Sequence, residues 1–189
     1  MEKRHLYIVL TRTNTVMSNL IQILKNDEYT HAAISLDKEL NHMYSFGRRN
    51  TYNPFVGRFK KEDINEGIYK ICNTLPGAII EVEVSEEQYV KAKVLLEHFI
   101  SNSHLYKYNY RGLVHSLINK PIYSDYRFLC SEFVYYILNE IGIADLKLSR
   151  NLVRPQSLLN IEGKIIFKGN LKEIKIPDNN VYISELLVH

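Results

Sequence analysis

No apolar stretch in this chain approaches the roughly 20 residues that a helix needs to cross a bilayer, which argues against a helical membrane protein. Cysteine is scarce. The two present, Cys72 and Cys130, lie far apart with no CxxC pair and no Cys/His cluster at metal-ligand spacing, so no zinc site and no metal is expected. No segment has the composition of a disordered tail or low-complexity linker. Charge of one sign is also lacking: the net +3 is modest, and Arg58, Lys60 and Lys61 make too short a basic run to imply nucleic acid. The N-terminal run Leu6 to Leu10 is short, contains a Tyr and leads into polar residues, which fits a first strand better than a signal peptide. A cytoplasmic location and two free thiols are therefore expected.

With 189 residues and 46% hydrophobic content, the chain suits a single domain, 1–189, with a proper core. After the first strand, Val16, Met17, Leu20, Ile21 and Leu24 repeat at helical spacing. Residues 29–36 alternate, with Ala32, Ile34 and Leu36 on one face and His31, Ala33 and Ser35 on the other. Asp37 to Asn41 supply a turn into a second strand at Met43 to Phe46, giving a hairpin. Gly47 to Lys61 is expected to be a long basic surface loop. Strands are expected at Gly67 to Cys72 and Ala78 to Val84.

Ser85 and Gln88 make a capping box for a helix whose Tyr89, Ala92, Leu95, Leu96 and Phe99 share a side. A short helix near Gly112 to Ile118 follows the tyrosine-rich 106–110 segment. Another helix runs from Cys130 to Ile141, with Gly142 as its C-cap. One turn at Pro155 to Leu159 and a strand at Lys164 to Phe167 complete an α+β pattern.

Cys130 opens its helix, where unpaired N–H groups and the positive end of the dipole favour a thiolate and can also bind an oxyanion. The competing reading is a small buried apolar residue. Cys72, at the end of an expected strand, reads as structural. A thiol nucleophile needs a base, and of the seven histidines only His31 is fixed on an expected sheet strand. It too has a plainer reading, as a polar edge residue.

Tyr29-Thr30-His31-Ala32-Ala33-Ile34-Ser35-Leu36-Asp37 and, about a hundred residues later, Phe128-Leu129-Cys130-Ser131-Glu132-Phe133-Val134 resemble the permuted members of the NlpC-type papain-like superfamily. Those include YiiX-like hydrolases and relatives of lecithin retinol acyltransferase, in which the His strand precedes the Cys helix. Tyr108 to Gly112 and the Pro-containing Arg154 to Leu158 extend the likeness over roughly residues 5–160. The resemblance implies a circularly permuted papain-like fold, with a central antiparallel sheet packed against the nucleophile helix. It implies Cys130 as nucleophile, His31 as base and no cofactor. It also implies a third polar residue on the strand after His31. If Ile34 pairs with Tyr44, Ser45 falls on the face of His31 and becomes the candidate, although a hydroxyl orients an imidazole less firmly than a carboxylate.

The activity implied is that of a thiol amidase or peptidase, cell-wall peptides being the first candidate substrate. A lipid or other acyl hydrolase or acyltransferase on the same dyad is the alternative, and a catalytically silent binding module the third. Arg48, Arg49 and Arg58 either bind a substrate anion at the cleft mouth or form a solvated basic loop. Tyr110 and its neighbours either line the cleft or pack the core. Peptide, amide or acyl-ester substrates, and no nucleic acid, are the expected partners.

Overall fold

The computed structural model describes residues 3–13, 26–50 and 53–174, with the backbone alone at 48–50 and 53–56. It is α+β. Eight strands form one sheet: β1 (Arg4–Thr11), β2 (His31–Ser35), β3 (Met43–Asn50), β4 (Asn53–Glu62), β5 (Pro76–Val84), β6 (Lys107–Tyr108), β7 (Arg127–Phe128) and β8 (Lys164–Asn170). Their order is β7-β6-β4-β3-β2-β1-β5-β8, antiparallel throughout except for the β6/β7 pair. Four helices are described: α1 (Gly67–Lys70), α2 (Glu86–Ser101), α3 (Tyr110–Leu117) and α4 (Cys130–Glu140). None of them is long and apolar enough to cross a membrane. The helix expected from Val16 to Leu24 lies outside the described residues.

The period of two in the central strands divides the sheet into two apolar faces. Leu6, Ile8 and Leu10 of β1, Ala32 and Ile34 of β2, and Phe46 of β3 share a core with α2 and α4. Within it the Phe46 ring touches those of Phe59, Phe99, Phe128 and Phe133 at centroid separations of 5.2–6.1 Å, in tilted and edge-on geometries that aromatic quadrupoles favour. The opposite face carries Tyr7, Val9, Ala33 and Met43, covered by Ile64, Tyr69, Leu75 and Leu171.

The hairpin register is the one expected, Ile34 opposite Tyr44 and Ser35 opposite Met43. Asp37 fixes its turn, accepting bonds from the N–H groups of Asn41 and His42 at 2.8 Å each. The capping box also holds: Ser85 Oγ accepts from the Gln88 N–H at 3.1 Å, and Gln88 Oε1 accepts from the Ser85 N–H at 2.9 Å. The chain after α4 turns at Gly142, whose φ of +76° is one a side chain would strain.

Two expectations fail. The supposed loop from Gly47 to Lys61 is most of the β3/β4 hairpin, which pairs Phe46 with Phe59 and Ser45 with Lys60. Its charges are compatible with a strand because Arg58 and Lys60 alternate with Phe59, which pairs with Phe46 on the apolar face. Gly67 to Cys72 is a helical turn rather than a strand, with the Cys72 thiol donating back to the Ile68 carbonyl at 3.3 Å.

Candidate active site

Cys130 is the first residue of α4, and Leu129 is its N-cap. Apolar packing sets the helix direction: Phe133, Val134, Ile137 and Leu138 are fully buried against the sheet. The position of its first turn is set by Glu132, which is itself fully buried. Glu132 Oε2 accepts from the Leu129 N–H at 3.0 Å and from Asn109 Nδ2 at 3.3 Å, while Oε1 accepts from Arg150 Nε at 2.9 Å. Arg150 stacks on Phe128, its guanidinium carbon 4.4 Å from the ring centroid, and donates to the Ser124 carbonyl at 2.6 Å. A buried carboxylate is tolerated only with such partners. Here the partners leave the first-turn N–H groups beside the Cys130 sulfur, and these have no acceptor within the helix.

His31 opens β2 opposite Thr11 of β1. The segment before it is tied to the turn after α4: Gln156 Oε1 accepts from the N–H groups of Glu28 and Tyr29 at 3.1 and 3.3 Å, and Arg154 Nη1 donates to Asp27 Oδ1 at 2.8 Å. The same turn is bound to α4, since Ser131 Oγ donates to the Val153 carbonyl at 2.6 Å. One turn thus fixes the distance between two elements separated by about a hundred residues of chain.

The His31 ring lies near enough to the Cys130 sulfur to feel its charge, and its Nε2 is hydrogen-bonded to Glu62 Oε2 at 3.0 Å. Glu62, at the end of β4, is buried and fully bonded: the Tyr69 hydroxyl donates to Oε2 at 2.9 Å, and Lys60 Nζ lies 3.0 Å from Oε1. Burial pulls the His31 pKa down, but the Glu62 carboxylate and the Cys130 sulfur outweigh it and raise it to about 10. Burial likewise opposes charge on Glu62, and is overcome by His31 and then Lys60, which hold its carboxyl well below the usual carboxylate range. Burial, then the neighbouring Glu62 charge, push the Tyr69 hydroxyl well above its ordinary value, so it stays a donor. At neutral pH the site therefore contains an imidazolium clamped between a sulfur and an ionised carboxylate.

Gly47 makes room for this cluster. A Cβ there would lie 3.0 Å from Lys60 Cε, 3.2 Å from Glu62 Oε1 and 3.6 Å from His31 Cε1. A methyl group there would press Lys60 and the Glu62 carboxylate aside by a few tenths of an ångström.

Cys130 and His31 are thus brought together as expected. Ser45 is not part of the pair: it is fully buried and its hydroxyl has no hydrogen-bond partner among the described residues, while the imidazole is oriented by Glu62. The correction follows from the β3/β4 hairpin. Once 53–62 is a strand, its alternation puts Lys60 and Glu62 on the face of His31, and a carboxylate of that reach displaces a short hydroxyl. Of the tyrosines, Tyr108 lines the cleft beside Cys130, and Tyr110 rests against it with ring centroids 4.8 Å apart. The backbones of Arg48 and Arg49 belong to β3, not to a loop; their side chains lie outside the described residues. Arg58 is an exposed β4 residue opposite Gly47. Among the described residues no His/Cys/Asp/Glu group could hold a metal ion.

Comparison with models of known protein families, with curated proteins and with solved structures returns no match to this chain.

Proposed function

We propose that the protein is a cysteine hydrolase of circularly permuted papain-like fold that works through an acyl-enzyme. The observation carrying this reading is the line Cys130, His31, Glu62: a sulfur at a helix N-terminus, an imidazole near it, and a buried ionised carboxylate bonded to the imidazole. A plain core cysteine needs neither an imidazole nor a carboxylate. The order of the elements, His strand before Cys helix, and the antiparallel sheet against α4 support the permuted arrangement.

In this mechanism the Cys130 thiolate attacks the carbonyl carbon of an amide or ester. The oxyanion forms beside the first-turn N–H groups of α4, and the His31 imidazolium gives its proton to the departing amine or alcohol. The carbon to leaving-group bond breaks and a thioester to Cys130 remains. His31, now neutral, takes a proton from water, which attacks the thioester to release the carboxylic acid and restore the ion pair. Glu62 fixes the ring and stabilises its charged form, while Tyr69 and Lys60 fix Glu62. A buried carboxylate bonded to His31 favours turnover over a silent binding module.

Incubation with p-nitrophenyl acetate followed by peptide mass spectrometry tests the reading. One acetyl group on the Cys130 peptide, absent in Cys130→Ala and slow to form in His31→Ala, is the expected result. Labelling of Cys72 alone, or none, contradicts it.

A further inference from the structure

The substrate's acyl portion is aliphatic, we infer, and enters an apolar cleft beside Cys130; this rests on the hydrolase reading. The cleft's walls are Leu113 and Leu117 of α3, Leu129, Tyr108, Val153 and Pro155, and Cys130 is part of its lining. Most of the polar side chains along it are engaged within the protein, while Arg154, also paired, keeps a side chain that is 39% exposed. Ser116 Oγ donates to the Leu113 carbonyl at 2.9 Å and Ser131 Oγ to the Val153 carbonyl at 2.6 Å. Arg154 is held by Asp27, and Thr30 is buried and has a partner of its own. A charged or strongly polar group entering here would shed its water without replacement, whereas methylenes would gain by leaving water.

The position of the cleft identifies which half of the substrate it takes. A leaving group has to lie against the His31 imidazolium to receive its proton. Neither His31 nor Glu62 lines the cleft, so a group inside it does not lie against the imidazole, and what remains bonded to Cys130 there is the acyl chain. Its aliphatic part is either the tail of a fatty acyl group or the side chain of an apolar residue in a peptide, two sources of one chemistry.

Two probe series separate these sources. On the full chain, kcat/KM is measured for p-nitrophenyl acetate, butyrate and hexanoate, and for the p-nitroanilides of N-acetyl-leucine and N-acetyl-aspartate. An unbranched acyl tail is expected to raise kcat/KM about threefold per added methylene. A peptide source instead makes the leucyl amide the better amide by at least tenfold. Either rise supports the cleft and identifies the source. Leu117→Gln, checked for an intact dyad by Cys130 alkylation with iodoacetamide, is expected to flatten whichever preference is seen.

Acetylation of Cys130 with no preference in either series would overturn the cleft assignment and leave the hydrolase reading standing. Failure of every probe to acylate Cys130 would overturn both.

Discussion

At the scale of single residues, the site depends on Glu62. Without its carboxylate the His31 ring loses both its orienting partner and the charge that keeps it protonated. Glu62→Gln is expected to lower kcat for ester hydrolysis about 10²–10³-fold with KM little changed, because the group acts on the base rather than on substrate. A loss under threefold would remove Glu62 from the mechanism. Gly47→Ala probes the same contact by crowding: its Cβ competes with Glu62 Oε1 and Lys60 Cε, so the alkylation rate of Cys130 is expected to fall while the protein remains folded by circular dichroism. Cys130 and His31 could be picked from sequence because a helix start and an alternating strand are local patterns and because the two motifs around them resemble the permuted papain-like superfamily. Glu62 could not, because it reaches the imidazole through a strand whose basic residues read as a loop. The missed signal was Phe59 between Arg58 and Lys60, an apolar residue at the alternating position that pairs with Phe46.

At the scale of elements, α4 is placed by two independent means. Its apolar face packs into the aromatic core, and its first turn is locked by Glu132. The Glu132 side chain is about 1% exposed, against 15% for Arg150, so Glu132→Ala leaves a guanidinium partly buried and unpaired. The expected cost is about 3–5 kcal/mol in denaturant unfolding, with a matching loss if Arg150 is removed instead. The double variant is expected to cost less than the sum, and strict additivity would show that the two groups do not interact. Phe-Leu-Cys-Ser-Glu-Phe-Val showed in sequence that a helix begins near Cys130. That its Glu is a buried cap tied to Arg150 and Asn109 was hidden, since neither partner is local to the motif. The hairpin register and the Ser85 capping box, by contrast, rest on neighbours in the chain and were legible.

At the scale of the whole molecule, the buried charges link stability to pH. His31 is raised from an ordinary value of 6.5 to about 10, so its contribution is complete below about pH 6.5 and is lost as pH climbs toward 10. Glu62 is depressed from 4.5, so its contribution is present above that value and declines as acid protonates the carboxylate in the folded state. The two windows overlap between about pH 4.5 and 6.5. Melting temperature is therefore expected to decline from pH 6.5 to 10 in the wild type, and to decline less steeply in His31→Ala. Equal slopes in calorimetry would mean that His31 is not held charged by the fold. Such coupling needs β2, β4, α1 and α4 to converge on one imidazole, and no sequence pattern announces a convergence of that kind.

The central claim is that His31 and Glu62 activate Cys130, and the rate of its alkylation by iodoacetamide in the native protein, followed on the labelled peptide beside that of Cys72, tests it most directly. The account predicts that Cys130 reacts at least about tenfold faster than Cys72, that His31→Ala removes most of this advantage, and that Glu62→Gln removes part of it. A Cys130 no faster than Cys72, or one indifferent to both substitutions, would contradict the account.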